Sequence, residues 1–171
     1  MRISGYSDYT LRVLIYCALH RNRLVTIGEV AEQHGLSKNH LMKVVNDLAR
    51  LGLLETVRGR GGGLRLSAEP ETIRIGDVVR ATETDFRLVE CFDEASNACT
   101  LSPHCRLKHV FEDALAGYFK ALDGATLADM TRGRATAAGR SNSAPPGRSL
   151  ATVTPVAPPT SRWRGSPTAA F

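Results

Sequence analysis

Three thiols fall within fifteen positions of this chain, in the stretch Cys91-Phe-Asp-Glu-Ala-Ser-Asn-Ala-Cys99-Thr-Leu-Ser-Pro-His-Cys105. Thiolates are strong, soft metal ligands. In a chain with no export signal they are expected to stay reduced, so the group reads as an incomplete metal site before a disulfide framework. The intervals of seven and five residues are wider than those of ordinary zinc sites, whose paired ligands stand about two to four residues apart. Iron-sulfur clusters accept wider intervals because several irons are presented to one wrapping loop. From spacing alone the cluster stands beside three other readings: zinc, a thiol redox switch and coincidence. The fourth cysteine, Cys17, lies far away in a helical stretch and reads as a small core or interface residue.

The elements around the thiols must position them. Ser102 and Pro103 form a helix-start pair, N-cap and first-turn proline. They open a run in which Leu107, Val110, Phe111, Ala114, Leu115, Tyr118, Phe119 and Leu122 form a regular apolar seam. This start would place Cys105 in the first helical turn, where unpaired N–H groups and the positive end of the helix dipole favour a thiolate. A helix of about 20 residues spans roughly 30 Å, enough for two copies to pair along it. The seam is therefore expected to form a homodimer.

The first half of the chain has a different character. Residues 7–20 put Leu11, Leu14, Ile15 and Ala18 on one helical stripe, with Ser7 placed to cap it. Thr26-Ile-Gly-Glu29 is a capping-box pattern for a helix that carries Ile27, Val30 and Ala31 inward and ends at Gly35. Ser37 then opens a second helix with Leu41, Val44, Val45, Leu48 and Leu51 inward, stopped by Gly52. Two short helices about a turn apart, the second polar and basic at its start, read as a helix-turn-helix. Two strand-like runs follow, around the glycine-rich, arginine-studded turn Arg58-Gly-Arg60-Gly-Gly-Gly. No nucleotide-binding loop fits there, since no Gly-x-x-x-x-Gly-Lys-Ser/Thr element opens a helix. Its arginines suit phosphate contact or a narrow minor groove. Ile73 to Glu83 reads as a short helix that packs this wing onto the core.

The expected fold is thus mainly α: a winged helix-turn-helix over residues 1–84, a cysteine loop and long dimerisation helix over 85–131, and a disordered tail over 132–171. The tail holds six of the eight prolines and no acid, and it has too little apolar material to offset its ordering entropy. The candidate DNA-facing residues are Gly28, Ser37, Lys38, Asn39, His40 and Lys43 on the helix pair, with Arg58, Arg60 and Arg65 in the wing.

Charge supports this division. The formal net charge is +5, yet residues 1–68 hold ten Lys and Arg against five acids, and residues 69–131 hold six against twelve. A basic first half suits double-stranded DNA, and an acidic middle suits another task. No apolar run approaches the roughly 20 residues that cross a bilayer, and Met1-Arg-Ile-Ser-Gly5 lacks the apolar stretch of an export signal. A cytoplasmic, non-enzymatic protein without a membrane partner is expected.

Several stretches taken together carry a family resemblance: Asp8-Tyr-x-Leu-Arg12, Ser37-Lys-Asn-His-Leu-Met-Lys-Val-Val-Asn46, Val57-Arg-Gly-Arg-Gly-Gly-Gly-Leu-Arg-Leu66, Ile73-Arg-Ile-Gly-Asp-Val-Val79, the three cysteines with Cys105-Arg-Leu-Lys108, and Thr126-Leu-Ala-Asp129. Over nearly all of residues 1–130 the chain resembles the nitric-oxide-sensitive iron-sulfur winged-helix repressors of the NsrR family. The resemblance implies a homodimeric repressor of a palindromic operator, with Cys91, Cys99 and Cys105 holding a 2Fe-2S or 4Fe-4S cluster whose reaction with nitric oxide releases the DNA. It also implies that Asp8 of the other subunit can supply a fourth ligand, although a helix-start aspartate has an ordinary dipole role as well. Glu90, His104 and His109 are further candidates. The related iron-sulfur assembly regulator carries a histidine three residues after its last cysteine, where this chain has Lys108. A small iron-sulfur electron carrier is an alternative of another class, but it would leave the basic winged helix without a use.

Overall fold

The structure, a computed structural model, describes residues 2–102 and 104–133. The expected helix-start role of Pro103 and nearly all of the expected disordered tail lie outside those residues. The order is three helices, a two-stranded antiparallel wing, a fourth helix, a long segment, and two further helices: α1 Gly5–Leu19, α2 Ile27–His34, α3 Lys38–Arg50, β1 Leu54–Val57, β2 Gly63–Leu66, α4 Ile75–Thr82, α5 Arg106–Asp123 and α6 Leu127–Thr131. The mainly α winged-helix architecture is as expected.

Helix α1 begins before the expected cap. Ser4 is extended and its Oγ accepts the Ser7 N–H at 3.2 Å. Ser7 is buried, and its hydroxyl donates to Thr82 Oγ1 at 2.8 Å, a partner 75 residues away that no local pattern announces. The buried face is Thr10, Val13, Leu14 and Cys17. Of the expected stripe only Leu14 is fully buried, while Leu11, Ile15 and Ala18 pack at its margin.

The helix pair follows its sequence signals. Thr26 Oγ1 accepts the Glu29 N–H at 3.1 Å and the Glu29 carboxylate accepts the Thr26 N–H at 3.5 Å, completing the capping box. Arg23 also binds this carboxylate, and with help from the Tyr16 hydroxyl and the Thr26 N–H it holds Glu29 down at about 2. Because this pKa is depressed in the folded state, its stabilising effect is present above the ordinary carboxylate range and lost as pH falls toward about 2. Thr26→Ala should cost about 1 kcal/mol in urea unfolding; an unchanged midpoint would show that the cap does not limit α2.

In α3, Leu41, Val44, Val45 and Leu48 are each 3% exposed or less. Leu51 departs from expectation at 50% exposed. It stands at the C-cap, and Gly52 at φ 72° turns the chain away before Leu51 can reach the core.

The wing pairs Leu54 with Leu66 and Val57 with Gly63. Its tip turns through Gly59 (φ 96°) and Gly61 (φ 78°), left-handed positions that suit glycine. Val25 bridges Leu64 with two backbone hydrogen bonds of 3.0 and 2.7 Å, holding the wing against the approach to α2. At the far end Leu127 of α6 is fully buried against this same core, with its N–H on the Ile73 carbonyl at 2.8 Å. Among the described residues no helix is long and apolar enough to cross a membrane.

Helix α5 differs from the others, since none of its residues is buried. The expected seam divides: Phe111, Leu115, Tyr118, Phe119 and Leu122 are half-buried, while Leu107 and Val110 are 58% and 60% exposed. Its C-terminal half is fastened to α4. Arg80 donates to both carboxylate oxygens of Asp123 at 2.6 and 2.7 Å and lies 4.3 Å from the Phe119 ring centre. Gly76 lets Asp123 come this close, because a Cβ there would run into the carboxylate.

Candidate DNA-reading face and cysteine segment

The basic N-terminal half of α3 is the candidate reading edge. Ser37 stands at its N-cap without using its side chain as a cap, and no acid occupies the first turn. Ser37, Lys38, Asn39, His40 and Lys43 are all exposed. Gly28 faces them from α2: a Cβ there would lie 3.7 Å from the Lys38 Nζ. Gly28 and Lys38 therefore stand together, and the other four are exposed at and just after the start of α3. The wing residues divide. Arg58 and Arg60 are exposed at the tip and have no ion-pair partner among the described residues. Arg65 is held across the strands by Glu55, with hydrogen bonds of 2.9 and 3.0 Å. That pairing follows from the register, in which Glu55 stands opposite Arg65.

The three clustered cysteines are free thiols on one segment. Cys91 lies in a short 3₁₀ turn, Glu90–Phe92, and is 8% exposed; Cys99 and Cys105 are half-buried. Cys105 is not inside helix α5 but at its N-cap, and Ser102 is not the cap. The reason is local: the Ser102 N–H donates to the Cys99 carbonyl at 3.3 Å, so the chain completes a turn before it enters α5. At the N-cap Cys105 still adjoins the unpaired N–H groups of α5 and the positive end of its dipole.

Glu90, a further ligand candidate in the sequence, and Asp93 and Asn97, which the sequence reading did not assign, organise this segment. Glu90 accepts the Ala98 N–H at 2.8 Å, Asp93 accepts the Ala95 N–H at 3.1 Å and the Ser96 hydroxyl at 2.8 Å, and Asn97 accepts the Cys99 N–H at 3.0 Å. Arg87 pairs with both Asp85 and Asp93. The local signal was present, because Asp93 and Asn97 each precede their backbone donor by two residues, as Asx turns do. A cleft of about 620 Å³ separates the start of this segment from α5, with Phe86, Cys91, Phe92, Lys108, Leu115 and Phe119 among its walls.

Three unpaired thiols on one segment suit an iron-sulfur cluster by donor chemistry. They are not gathered: among the described residues no three His, Cys, Asp or Glu side chains form a group able to hold a metal ion. Asp8 is already engaged within its own helix, where its carboxylate accepts from Arg12 at 3.1 Å and forms an ion pair of 2.7 Å. His109 meets Glu112 at 3.0 Å. Cys17 is a core residue at 2% exposed, and burial, with Glu29 nearby, pushes its thiol up to about 12.

A helix-turn-helix with an exposed basic reading edge and an arginine-tipped wing defines a winged-helix DNA-binding transcription regulator. The Rrf2 family, described as iron-dependent transcriptional regulators, matches residues 3–133. The chain belongs to this family, and it is a regulator and not an enzyme. It is 52% identical over 135 residues to the HTH-type transcriptional regulator NsrR of Bacillus subtilis, covering 78% of this chain and 92% of that protein. The NsrR regulator of Geobacillus kaustophilus is 43% identical over 137 residues, covering 80% and 93%. Among solved structures, IscR of T. potens matches with a TM-score of 0.63 at 28% identity, covering 84% of this chain and 94% of that one. CymR, the global cysteine regulator of B. subtilis, matches with a TM-score of 0.63 at 26% identity, covering 76% and 95%.

Proposed function

We propose that this regulator is a cytoplasmic repressor that binds a palindromic operator as a homodimer and releases it in response to nitric oxide. Cys91, Cys99 and Cys105 are the thiolate ligands of an iron-sulfur cluster in this reading, and Asp8 of a partner subunit is the candidate fourth ligand. The supporting observation is that Cys105, the last of the three thiols, is the N-cap of α5, whose other end is fastened to the winged helix through Arg80 and Asp123. A change in how the thiols are held must therefore act on the helix that positions the DNA-reading domain.

When bound, the cluster supplies iron with which nitric oxide can react. The rest is work for the chain. Gathering Cys91, Cys99 and Cys105 rearranges the segment that carries them and fixes the N-terminal end of α5. Asp8 must exchange Arg12 for its new role, which shifts charge at the first turn of α1. Releasing the thiols returns the segment to its own Glu90, Asp93 and Asn97 contacts. The two recognition helices then lose the separation of about 34 Å that a two-fold operator requires. The NsrR-named relatives favour this reading over a zinc or thiol-switch regulator.

Anaerobic titration with nitric oxide tests it, with visible absorbance and operator binding by fluorescence anisotropy read on the same sample. The absorbance is expected to bleach and the bound fraction to fall over the same range of nitric oxide. Colourless anaerobic protein whose operator binding ignores nitric oxide would overturn the proposal.

A further inference from the structure

Beside the recognition helix, the first two turns of α1 and the flank of α3 enclose a cleft of about 260 Å³ lined by Gly5, Tyr6, Tyr9, His40, Lys43 and Val44. The DNA-facing residues expected from the sequence included His40 and Lys43 but nothing on α1. Internal contacts fix the walls of the cleft. The Tyr6 hydroxyl donates to Asp47 Oδ2 at 2.6 Å, and burial together with Asp47 raises its pKa to about 12, so it remains a neutral, pinned wall. Tyr9 stacks on His40 with ring centres 6.4 Å apart, and Lys43 Nζ lies 6.0 Å from the centre of the Tyr6 ring. The Tyr9 hydroxyl makes no hydrogen bond among the described residues.

The chemistry of this cleft is two-sided. Lys43, His40 and the Tyr9 hydroxyl offer donors, and the tyrosine rings offer flat apolar faces. Asp47, bound to the cleft's Tyr6, is also paired with Arg50 at 3.6 Å, and Asp8 is engaged by Arg12. The donor edge continues the basic reading edge of α3. When a recognition helix enters the major groove, a helix packed across it meets the sugar-phosphate backbone at the groove's rim.

We propose that the cleft takes one sugar-phosphate unit of the operator, with Lys43 and the Tyr9 hydroxyl donating to the phosphate and the tyrosine rings lying against the deoxyribose. Helix α1 is then a second DNA-contacting element, and Tyr9 a backbone-binding residue. This rests on the DNA-binding reading but not on the cluster or nitric oxide.

Fluorescence anisotropy of the full chain tests it on two duplexes: one selected by the wild-type protein from a randomised pool, and one of the same composition in shuffled order. A backbone contact carries no sequence information. Tyr9→Phe should therefore weaken both duplexes by the same factor, about tenfold, as expected for a lost hydrogen bond to a charged group. Gly5→Glu should also weaken both. A Cβ at Gly5 meets only Tyr9 Cζ at 3.9 Å, an ordinary contact, and an acid in a first helical turn favours the helix, so the loss reports on phosphate repulsion and not on folding. Lys43→Gln should lower the slope of log affinity against log salt by about one. Wild-type affinities for both Tyr9→Phe and Gly5→Glu would overturn the proposal, as would a loss confined to the selected duplex, which belongs to base reading. If the wild-type chain bound neither duplex, the DNA-binding reading would itself have failed.

Discussion

Replacement of Cys91, Cys99 and Cys105 by alanine together is expected to give a folded protein that contains no iron, has no visible absorbance and binds the operator only as weakly as nitric-oxide-treated wild type. The fold should survive because none of the three belongs to the main core cluster of α1 to α4 and the wing. Cys99 and Cys105 are half-buried. Truncating Cys91, 8% exposed at the edge of a cleft, should cost about 1 kcal/mol. Cys17→Ala is the opposing control: it opens a gap in the core at a residue 2% exposed, so it should lower the unfolding midpoint while leaving iron content unchanged. Iron analysis, absorbance and urea unfolding of the two variants separate donor thiols from a packing thiol. Full iron content in the triple variant would remove these cysteines from the site.

The parts of this molecule that sequence foretold are those whose cause is local. Thr26 and Glu29 satisfy one another within a single helical turn, and the repeat of Leu41, Val44, Val45 and Leu48 needs only the helical period. The wing announced itself through glycines that its turn requires. Most of the misplaced features have distant causes, the turn at Ser102 being the local exception. Ser7 follows Ser4 at a helix start, so either could have been the cap; Thr82 decides, by claiming the Ser7 hydroxyl. Ser102 resembles an N-cap, but the turn it closes on Cys99 delays α5 until Cys105. Helix α6 is only 5 residues long, too short for a period, and its role as an anchor depends on Leu127 meeting a core assembled from the start of the chain. Within the candidate site, residue types were legible and engagement was not. The Asp8 to Arg12 pair lies at i,i+4, while the Arg65 to Glu55 pair needs the strand register, and both decide which charges stand ready for a ligand.

Glutamate at both Leu107 and Val110 should convert the protein to a monomer and lower operator affinity toward its non-specific level, roughly a thousandfold. Along α5 the exposed positions Leu107, Val110, Ala114, Gly117 and Ala121 recur at intervals of three and four, which makes a straight stripe down one side of the helix. Its first half is large and apolar, and its second half is small enough for a neighbouring backbone to approach closely. The opposite side already faces its own chain through Phe119, Arg80 and Asp123. A helix of 18 residues extends about 27 Å, and a two-fold axis crossing this stripe would set two copies of it against one another. Since both substituted side chains are more than half exposed in the single chain, folding stability should change by no more than about 0.5 kcal/mol, so a loss of binding reports on assembly. Sedimentation and anisotropy measured at the same protein concentrations provide the test. A double variant that sediments as a dimer with wild-type operator affinity would move the subunit contact away from α5 and leave its apolar stripe without a role.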